Sequence, residues 1–333
     1  MDAGRVAGMS GVRLLVTGAG GFCGLHACAF FARQGFDVVG VLRSPGDPRA
    51  AVLRRLGAEA EFCELTDRHA VDRLIARVRP ERILHLAGLS SAGPSWREPA
   101  AYLETNVMAA VYLLEAARRE MGEDGFRFAA AGSMLRFDWP TDGGAPRPPH
   151  PYSLSKTLLT AVVRSWHHLY GTRAVVAEPA NLIGPGPSVG LPALIAAHIR
   201  ALRRARLAGA PDPAPFRLSS LTERRDYVDV RDAVKAYEVL LERGEPGRVY
   251  PIATGRQRTL GEVAAAYERA AGFRVEWSIG DSDASSPPPA DPSALLALGW
   301  RPEIPFALSV ADTLDDDAGS VAWFMRPERE PDG

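Results

Sequence analysis

Cysteine is scarce in this sequence: the 333 residues hold three, Cys23, Cys28 and Cys63. Three cannot all pair, and none shows metal-ligand spacing, so free thiols in a reducing, cytoplasmic setting are expected. An excess of one charge is also missing. Thirty-nine basic and 40 acidic residues leave a formal net charge of −1. That balance gives no electrostatic footprint for nucleic acid or a membrane surface. No apolar run approaches the roughly 20 residues of a membrane-spanning helix. Residues 1–10 lack the apolar core of a signal peptide and read as a flexible tail. There is no internal repeat. What remains is an ordinary globular composition, 46% hydrophobic and 24% charged, in a chain long enough for one or two domains.

The first half alternates short apolar runs with longer amphipathic stretches, the pattern of a parallel sheet covered by helices. Strands are expected at Arg13–Thr17, Asp37–Leu42, Glu59–Cys63, Arg82–Leu86, Phe126–Ala131 and Arg173–Glu178. Helices are expected over Phe22–Gln34, Asp67–Val78, Pro99–Arg119 and Tyr152–Tyr170. The fold class is therefore α/β, a Rossmann-type doubly wound sheet over residues 11–180, with its ligand at the carboxyl ends of the strands. Beyond residue 180 the elements shorten and Pro and Gly punctuate them. Residues 181–325 read as a mainly substrate-binding domain with segments returning to the core. Within it, Asn181–Leu191 and Ala210–Pro215 read as pocket-shaping loops and Ala284–Pro292 as a connector.

Thr17 to Gly24 reads T-G-A-G-G-F-C-G, directly after an apolar strand and directly before a helix. Gly18 suits the tight turn, Gly21 a close approach of backbone to a pyrophosphate, and Gly24 close packing of helix on strand. The helix start at Phe22 and Cys23 directs unpaired N–H groups at that phosphate. Cys23 itself reads as small packing rather than as a nucleophile. A plain glycine-rich βα turn is the alternative, but strand and helix stand where a dinucleotide site needs them. The second strand ends in Arg43-Ser44, where a NAD site usually carries an acid. A guanidinium and a hydroxyl suit the 2′-phosphate of NADP; a solvated arginine at a strand end is the plainer reading, and NAD stays the alternative cofactor. Glu64, followed by Leu65 at the third strand's end, can meet the adenine amino group.

Tyr152 and Lys156 are four apart, on one helix face. A phenol with a usual pKa of ~10 needs a neighbouring ammonium to favour its phenolate near neutral pH. Lys156 can do this and also hold the nicotinamide ribose. Alone, Y-x-x-x-K is a common accident; behind the glycine motif it is not.

Together these residues resemble the extended short-chain dehydrogenase/reductase (NAD-dependent epimerase/dehydratase) family over nearly the whole chain. The nearer likeness is to the branch of GDP-4-keto-6-deoxy-mannose reductases and GDP-mannose 4,6-dehydratases. It is carried by His85-Leu86-Ala87-Gly88-Leu89-Ser90-Ser91, Ser95-Trp96-Arg97-Glu98-Pro99, Asn181-Leu182-Ile183-Gly184-Pro185-Gly186 and Arg225-Asp226-Tyr227-Val228-Asp229-Val230-Arg231-Asp232. The resemblance implies that Leu86, Ala87, Gly88, Asn106 and Pro179 line the cofactor. It implies that Ser90, Ser91, Met134, Asn181 and Arg225 face a nucleotide-sugar substrate. Arg256 is a further phosphate or base contact, with surface salt bridging the plain alternative for both arginines. Homodimers formed through the helices matching Pro99–Arg119 and Tyr152–Tyr170 are implied as well.

The chain also departs from the family. The catalytic Ser or Thr after the fifth strand falls on Ser133, or the position falls on Met134. Leu135 and Arg136 stand where sugar dehydratases carry an elimination acid, which disfavours dehydration. Glu178 replaces the arginine preceding Pro-x-Asn, and a late substrate-domain arginine has no counterpart in Ser282–Pro289. The expected activity is NADP-dependent reduction of a keto group on a nucleotide-linked deoxysugar, with Tyr152, Lys156 and Ser133 catalytic and no metal. Epimerisation with tightly held cofactor is the alternative. A cofactor-binding scaffold is a third reading, opposed by the intact Tyr152/Lys156 pair.

Overall fold

The computed structural model describes residues 11–282 and 286–315. The expected tail over residues 1–10, residues 284–285 of the connector and residues 316–325 of the expected second domain lie outside the described residues. The chain opens with β1 (Arg13–Thr17), α1 (Phe22–Arg33), β2 (Asp37–Leu42), α2 (Arg49–Arg55), β3 (Glu59–Phe62), α3 (Arg68–Val78) and β4 (Arg82–His85). There follow α4 (Ala92–Ser95), α5 (Pro99–Leu103), a π-helical turn (Glu104–Met108), α6 (Ala109–Met121), β5 (Arg127–Ala131), α7 (Pro151–Tyr170) and β6 (Arg173–Pro179). The second half holds β7 (Asn181–Ile183), α8 (Leu191–Leu207), β8 (Phe216–Leu218), β9 (Arg224–Asp229), α9 (Val230–Arg243) and β10 (Val249–Ile252). It ends with β11 (Gln257–Thr259), α10 (Leu260–Ala271), β12 (Trp277–Ile279), α11 (Ser293–Ala297) and α12 (Phe306–Asp315).

Among the described residues these elements form two compact units, residues 11–179 with 234–251, and residues 180–233 with 252–282 and 286–315. The first unit is built on a seven-stranded sheet in the order β10-β6-β5-β4-β1-β2-β3. Its order reverses between β1 and β4, which pair in parallel with Leu14 opposite Arg82 and Thr17 opposite His85. Strands covered on both faces must be apolar throughout, and β1 and β2 are buried along nearly their whole length. Helices α3 and α6 pack Leu74, Ile75, Leu113 and Leu114 onto Leu15, Val39 and Phe128 in one continuous core. This is the α/β, doubly wound Rossmann architecture.

The second unit has a three-stranded sheet, β11-β9-β7, and a β12-β8 ribbon. Its own core joins Ile195, Ile199 and Leu202 of α8 to Val263 and Tyr267 of α10 and Val310 of α12. Helix α10 starts on a capping box: Thr259 accepts from the Glu262 N–H while the Glu262 carboxylate accepts from the Thr259 N–H. The run from Arg225 to Asp232 is largely scaffolding here. Arg231 bridges two buried carboxylates, Asp229 at 2.7 Å and Asp312 at 2.8 Å. Asp232 accepts the N–H groups of Glu303 and Ile304, closing the entry to α12.

Two elements differ from the sequence expectation. The helix expected as one piece over Pro99–Arg119 is divided by the π turn, which widens the backbone by one residue around Asn106. The loop expected over Asn181–Leu191 begins as a strand, because Asn181–Ile183 pairs in parallel with Tyr227–Asp229.

Candidate active site

The glycine turn is shaped by its neighbours. Gly18 has φ +67°, and a Cβ there would lie 2.7 Å from the Ala87 N. A Cβ on Gly24 would lie 2.1 Å from the Gly18 carbonyl oxygen. Gly21 is the N-cap of α1, with no side-chain cap and no acid in the first turn. That leaves an uncapped, carboxylate-free helix start, the surroundings an anion requires. Cys23 is half-buried and hydrogen-bonded to the Tyr237 hydroxyl, and burial pushes its thiol up to about 12. All three cysteines are free.

At the end of β2, the exposed Arg43 guanidinium lies 3.5 Å from Glu64, so the residues read as 2′-phosphate and adenine contacts are brought together as an ion pair. Ser44 is exposed beside them and Leu65 is buried. A third charge was missed by the sequence. Arg49, in the first turn of α2, donates to the Gly20 carbonyl oxygen at 3.3 Å. Asp47 fixes it there through Nε at 2.8 Å and Nη2 at 2.5 Å. A Cβ on Gly20 would meet this guanidinium stem at 2.9 Å. The signal, an arginine directly after Asp47-Pro48, has no motif attached to it.

Helix α7 presents the central pair. Its N-terminus is fixed by His150, whose Nδ1 accepts the Ser153 N–H at 2.9 Å, and by Pro151 in the first turn. Tyr152 is buried between two rings: His150 stacks on it at 5.9 Å and Tyr102 meets it edge-on at 6.2 Å. Tyr102 in turn donates from its hydroxyl to the carbonyls of Ser90 and Ser91. Ser91 sits at φ +84°, a conformation that L residues seldom adopt without surrounding support. Neither Tyr102 nor His150 carries a sequence signal for this role.

Ser133 hydrogen-bonds Tyr152, which lowers the phenol's pKa, but burial outweighs it and the phenol stands above its usual value. The Ser133 hydroxyl also accepts the Leu135 N–H; Met134, between them, is half-buried. Lys156 is buried, and burial lowers its ammonium to about 8. Its Nζ donates to the Ala131 carbonyl at 2.8 Å. Ser133 is the group that lowers the phenol here, and one donor of the Lys156 ammonium is taken by Ala131.

Gly88 has a clear purpose. A Cβ there would lie 2.8 Å from Asn106 Oδ1 and 3.4 Å from Lys156 Nζ. Asn106, fully buried in the π turn, accepts the Leu89 N–H and donates to the Leu89 carbonyl and Ser155 hydroxyl. His85 is buried at the end of β4, with Nδ1 2.8 Å from the Thr17 hydroxyl. Burial and the Lys156 charge lower its pKa to about 3, so it is neutral. Thr17 also accepts the Ala87 N–H, which ties the glycine strand to the Leu86-Ala87-Gly88 run. Pro179 closes β6.

The chain departs from its expected pattern at one place that the structure ties together. Arg136 and Glu178 meet as an ion pair at 2.8 Å, with Glu178 buried. In the second unit, Asn181 donates to the Asp226 carbonyl at 3.1 Å. Arg225 is ion-paired with buried Glu223 at 2.7 Å. Asp226 gathers Thr254 and Gly255, leaving the side chain of neighbouring Arg256 exposed.

The model of the NAD dependent epimerase/dehydratase family matches residues 14–253, nearly three-quarters of the chain. The chain belongs to that family. This epimerase/dehydratase-family protein is thus an enzyme of the extended short-chain dehydrogenase/reductase type, a class that works with a nicotinamide cofactor. It is 26% identical to GDP-6-deoxy-D-mannose reductase of Pseudomonas aeruginosa over 265 residues, covering 75% of this chain and 77% of that one. RMD from Pseudomonas aeruginosa, solved with NADPH, superposes with a TM-score of 0.73 at 25% identity, over 95% of this chain and 99% of that one. UDP-glucose 4-epimerase of Thermus thermophilus, solved with NAD, gives 0.75 at 26% identity, over 91% and 98%.

Proposed function

We propose that this family member is an NADP-dependent reductase of a keto group on a nucleotide-linked sugar. The observation that carries the reading is the state of Tyr152. Burial holds the phenol above its usual pKa, so it is protonated at neutral pH, and Ser133 touches it. A protonated phenol beside a serine hydroxyl can give its proton to a carbonyl oxygen as the carbon is reduced.

Bound nicotinamide supplies hydride to the carbonyl carbon. Tyr152 gives its proton to the carbonyl oxygen, and Ser133 donates a hydrogen bond to the same oxygen. An ammonium has three donors and Ala131 takes one, so Lys156 can hold the ribose with the others. Its charge then stabilises the tyrosinate left behind. The uncapped start of α1 holds the pyrophosphate, and glycine at position 88 leaves the room that Asn106 and Lys156 occupy. Arg43 and Arg49 bind the 2′-phosphate. Ser90, Ser91, Met134, Asn181, Arg225 and Arg256 contact the substrate. Arg136, paired with Glu178 and Asp138, supplies no elimination acid, which disfavours dehydration. We place the enzyme in the cytoplasm, as a homodimer.

The test is cofactor stoichiometry with nucleotide-linked 4-keto-6-deoxyhexoses. Oxidation of one NADPH per substrate, lost in Tyr152→Phe, supports the reading. Undiminished turnover by Tyr152→Phe overturns it. The similarity to UDP-glucose 4-epimerases favours a second reading, interconversion of a nucleotide-sugar with no net cofactor consumption; the same assay separates the two.

A further inference from the structure

The segment that follows β5 carries Ser133, and three contacts bracket it. Before Ser133, Gly132 donates its N–H to the Ala177 carbonyl at 2.7 Å, so close to β6 that a Cβ would lie 3.0 Å from Glu178 Cγ. After Ser133, Arg136 turns back with its N–H on the Ser133 carbonyl and its guanidinium on the Glu178 carboxylate. Beyond it, the Phe137 N–H donates to the Thr157 hydroxyl, one residue from Lys156. Outside these contacts lies a cavity of about 310 Å³ lined by Arg136, Phe137, Trp139, Thr160 and Arg164. Behind Arg136 there is therefore open space, and packing alone does not hold the segment.

We propose that the buried Glu178–Arg136 ion pair is a positioning device that holds Ser133 on the Tyr152 hydroxyl. The Ala177 carbonyl holds Gly132 before the serine and the carboxylate of the next residue, Glu178, holds Arg136 after it, so adjacent residues of β6 close a loop with Ser133 at its apex. The groups facing that carboxylate are Arg136, Asp138 and Thr160. Arg136 also reaches Asp138 at 2.6 Å, but Asp138 is almost wholly exposed and its attraction is screened. Glu178 is the buried, less screened partner, and it sets the geometry. Neither residue touches the reacting atoms; both act through Ser133.

The inference rests on Ser133 serving Tyr152, and it is tested without a substrate. Tyrosine carrying a ¹³C label at Cζ reports each phenol by NMR, and the Tyr152 resonance is the one lost in Tyr152→Phe. In the wild type, the Ser133 hydrogen bond lowers the phenol's pKa. Arg136→Gln or the near-isosteric Glu178→Gln should raise the Tyr152 titration by about one pH unit, the worth of a weakened hydrogen bond to a charged oxygen. The reversed pair Arg136→Glu with Glu178→Arg should bring it back. In a Ser133→Ala background, Arg136→Gln should have no further effect, because the route through Ser133 is already cut. On a substrate, kcat should fall about tenfold with the Kd for NADPH unchanged. Folded single variants that leave the Tyr152 titration at its wild-type position overturn the proposal, as does an equal Arg136→Gln effect with and without Ser133. Absence of turnover on every nucleotide-linked sugar counts against the proposed function alone, since the titration still decides the positioning role.

Discussion

Substituting the glycines of the opening turn one at a time should separate three kinds of damage. Gly18→Ala places a side chain at φ +67°, costing about 1–2 kcal/mol. It also drives a Cβ to 2.7 Å from the Ala87 backbone, where overpacking costs about 1–3 kcal/mol. A loss of roughly 3 kcal/mol follows. Gly24→Ala gains about 1 kcal/mol of helix propensity. Its Cβ, however, meets the Gly18 oxygen at 2.1 Å and the Ala19 Cα at 2.7 Å, backbone atoms that cannot rotate aside. Its net cost is about 2 kcal/mol, toward the upper end of overpacking. Gly21→Ala meets one atom, the Gly18 oxygen at 3.2 Å, at ordinary negative φ. It should cost under about 1 kcal/mol, the difference between glycine and alanine at an N-cap. With Tm moving roughly 2–4 °C per kcal/mol for a unit of 150–250 residues, calorimetry should show falls of about 6–12, 4–8 and under 4 °C. Dinucleotide titration of the folded variants should show Gly21→Ala binding at least tenfold more weakly despite its small loss of Tm. Wild-type melting by Gly18→Ala and Gly24→Ala would refute the contact argument. Wild-type binding by Gly21→Ala would refute the pyrophosphate assignment.

Other consequences are as direct. Lys156 has its folded pKa lowered from 10.5 to about 8, so the unfolded chain binds the extra proton between those values and wild-type stability should rise with pH across that window. Relative to Lys156→Met the rise should total at most about 3 kcal/mol, with the difference flat below pH 8; denaturant midpoints at several pH values measure it, and a difference that falls over that window sinks the assignment. Activity dependent on the ammonium should decline above pH 8. Arg49→Ala should weaken NADP binding about tenfold or more while leaving NAD within about twofold, the loss of one charge-assisted hydrogen bond to phosphate; equal loss for both dinucleotides by calorimetry would remove Arg49 from the 2′-phosphate. Arg231→Leu leaves Asp229 and Asp312 buried without their cation and should cost about 3–5 kcal/mol of the second unit's stability; urea midpoints within error of wild type would contradict this.

What the sequence made legible was whatever depends on neighbours in the chain. Strands β1 and β2 fall where their apolar runs lie, and the glycine turn and the Tyr152/Lys156 spacing are visible because turns and helices repeat over a few residues. The π turn at Glu104–Met108 was not legible, since the amphipathic period runs through it; what distinguishes it is Asn106 reaching Leu89 and Ser155, 17 and 49 residues away. Arg136 and Glu178 appeared only as two separate departures from a pattern. Their pairing requires β5 beside β6, and that adjacency belongs to the sheet. Tyr102 and His150 were missed for the same reason: each matters through a ring contact with Tyr152, and no local rule places aromatic rings together across the fold.

Strand β10 gives the sheet's order a consequence in time. It lies beside β6, where the Arg248 carbonyl accepts the Val176 N–H and Gly247 donates to the Ala174 carbonyl. Residues 248–251 therefore leave the ribosome some 70 residues after the strand they protect. Until then β6, apolar from Ala174 to Ala177, is an unpaired edge of the kind that recruits other strands. Tyr237, the partner of Cys23 in the glycine turn, arrives in the same late stretch. The nascent first half thus holds its glycine turn without the Tyr237 contact and its edge open together, and both are finished by one short return of the chain.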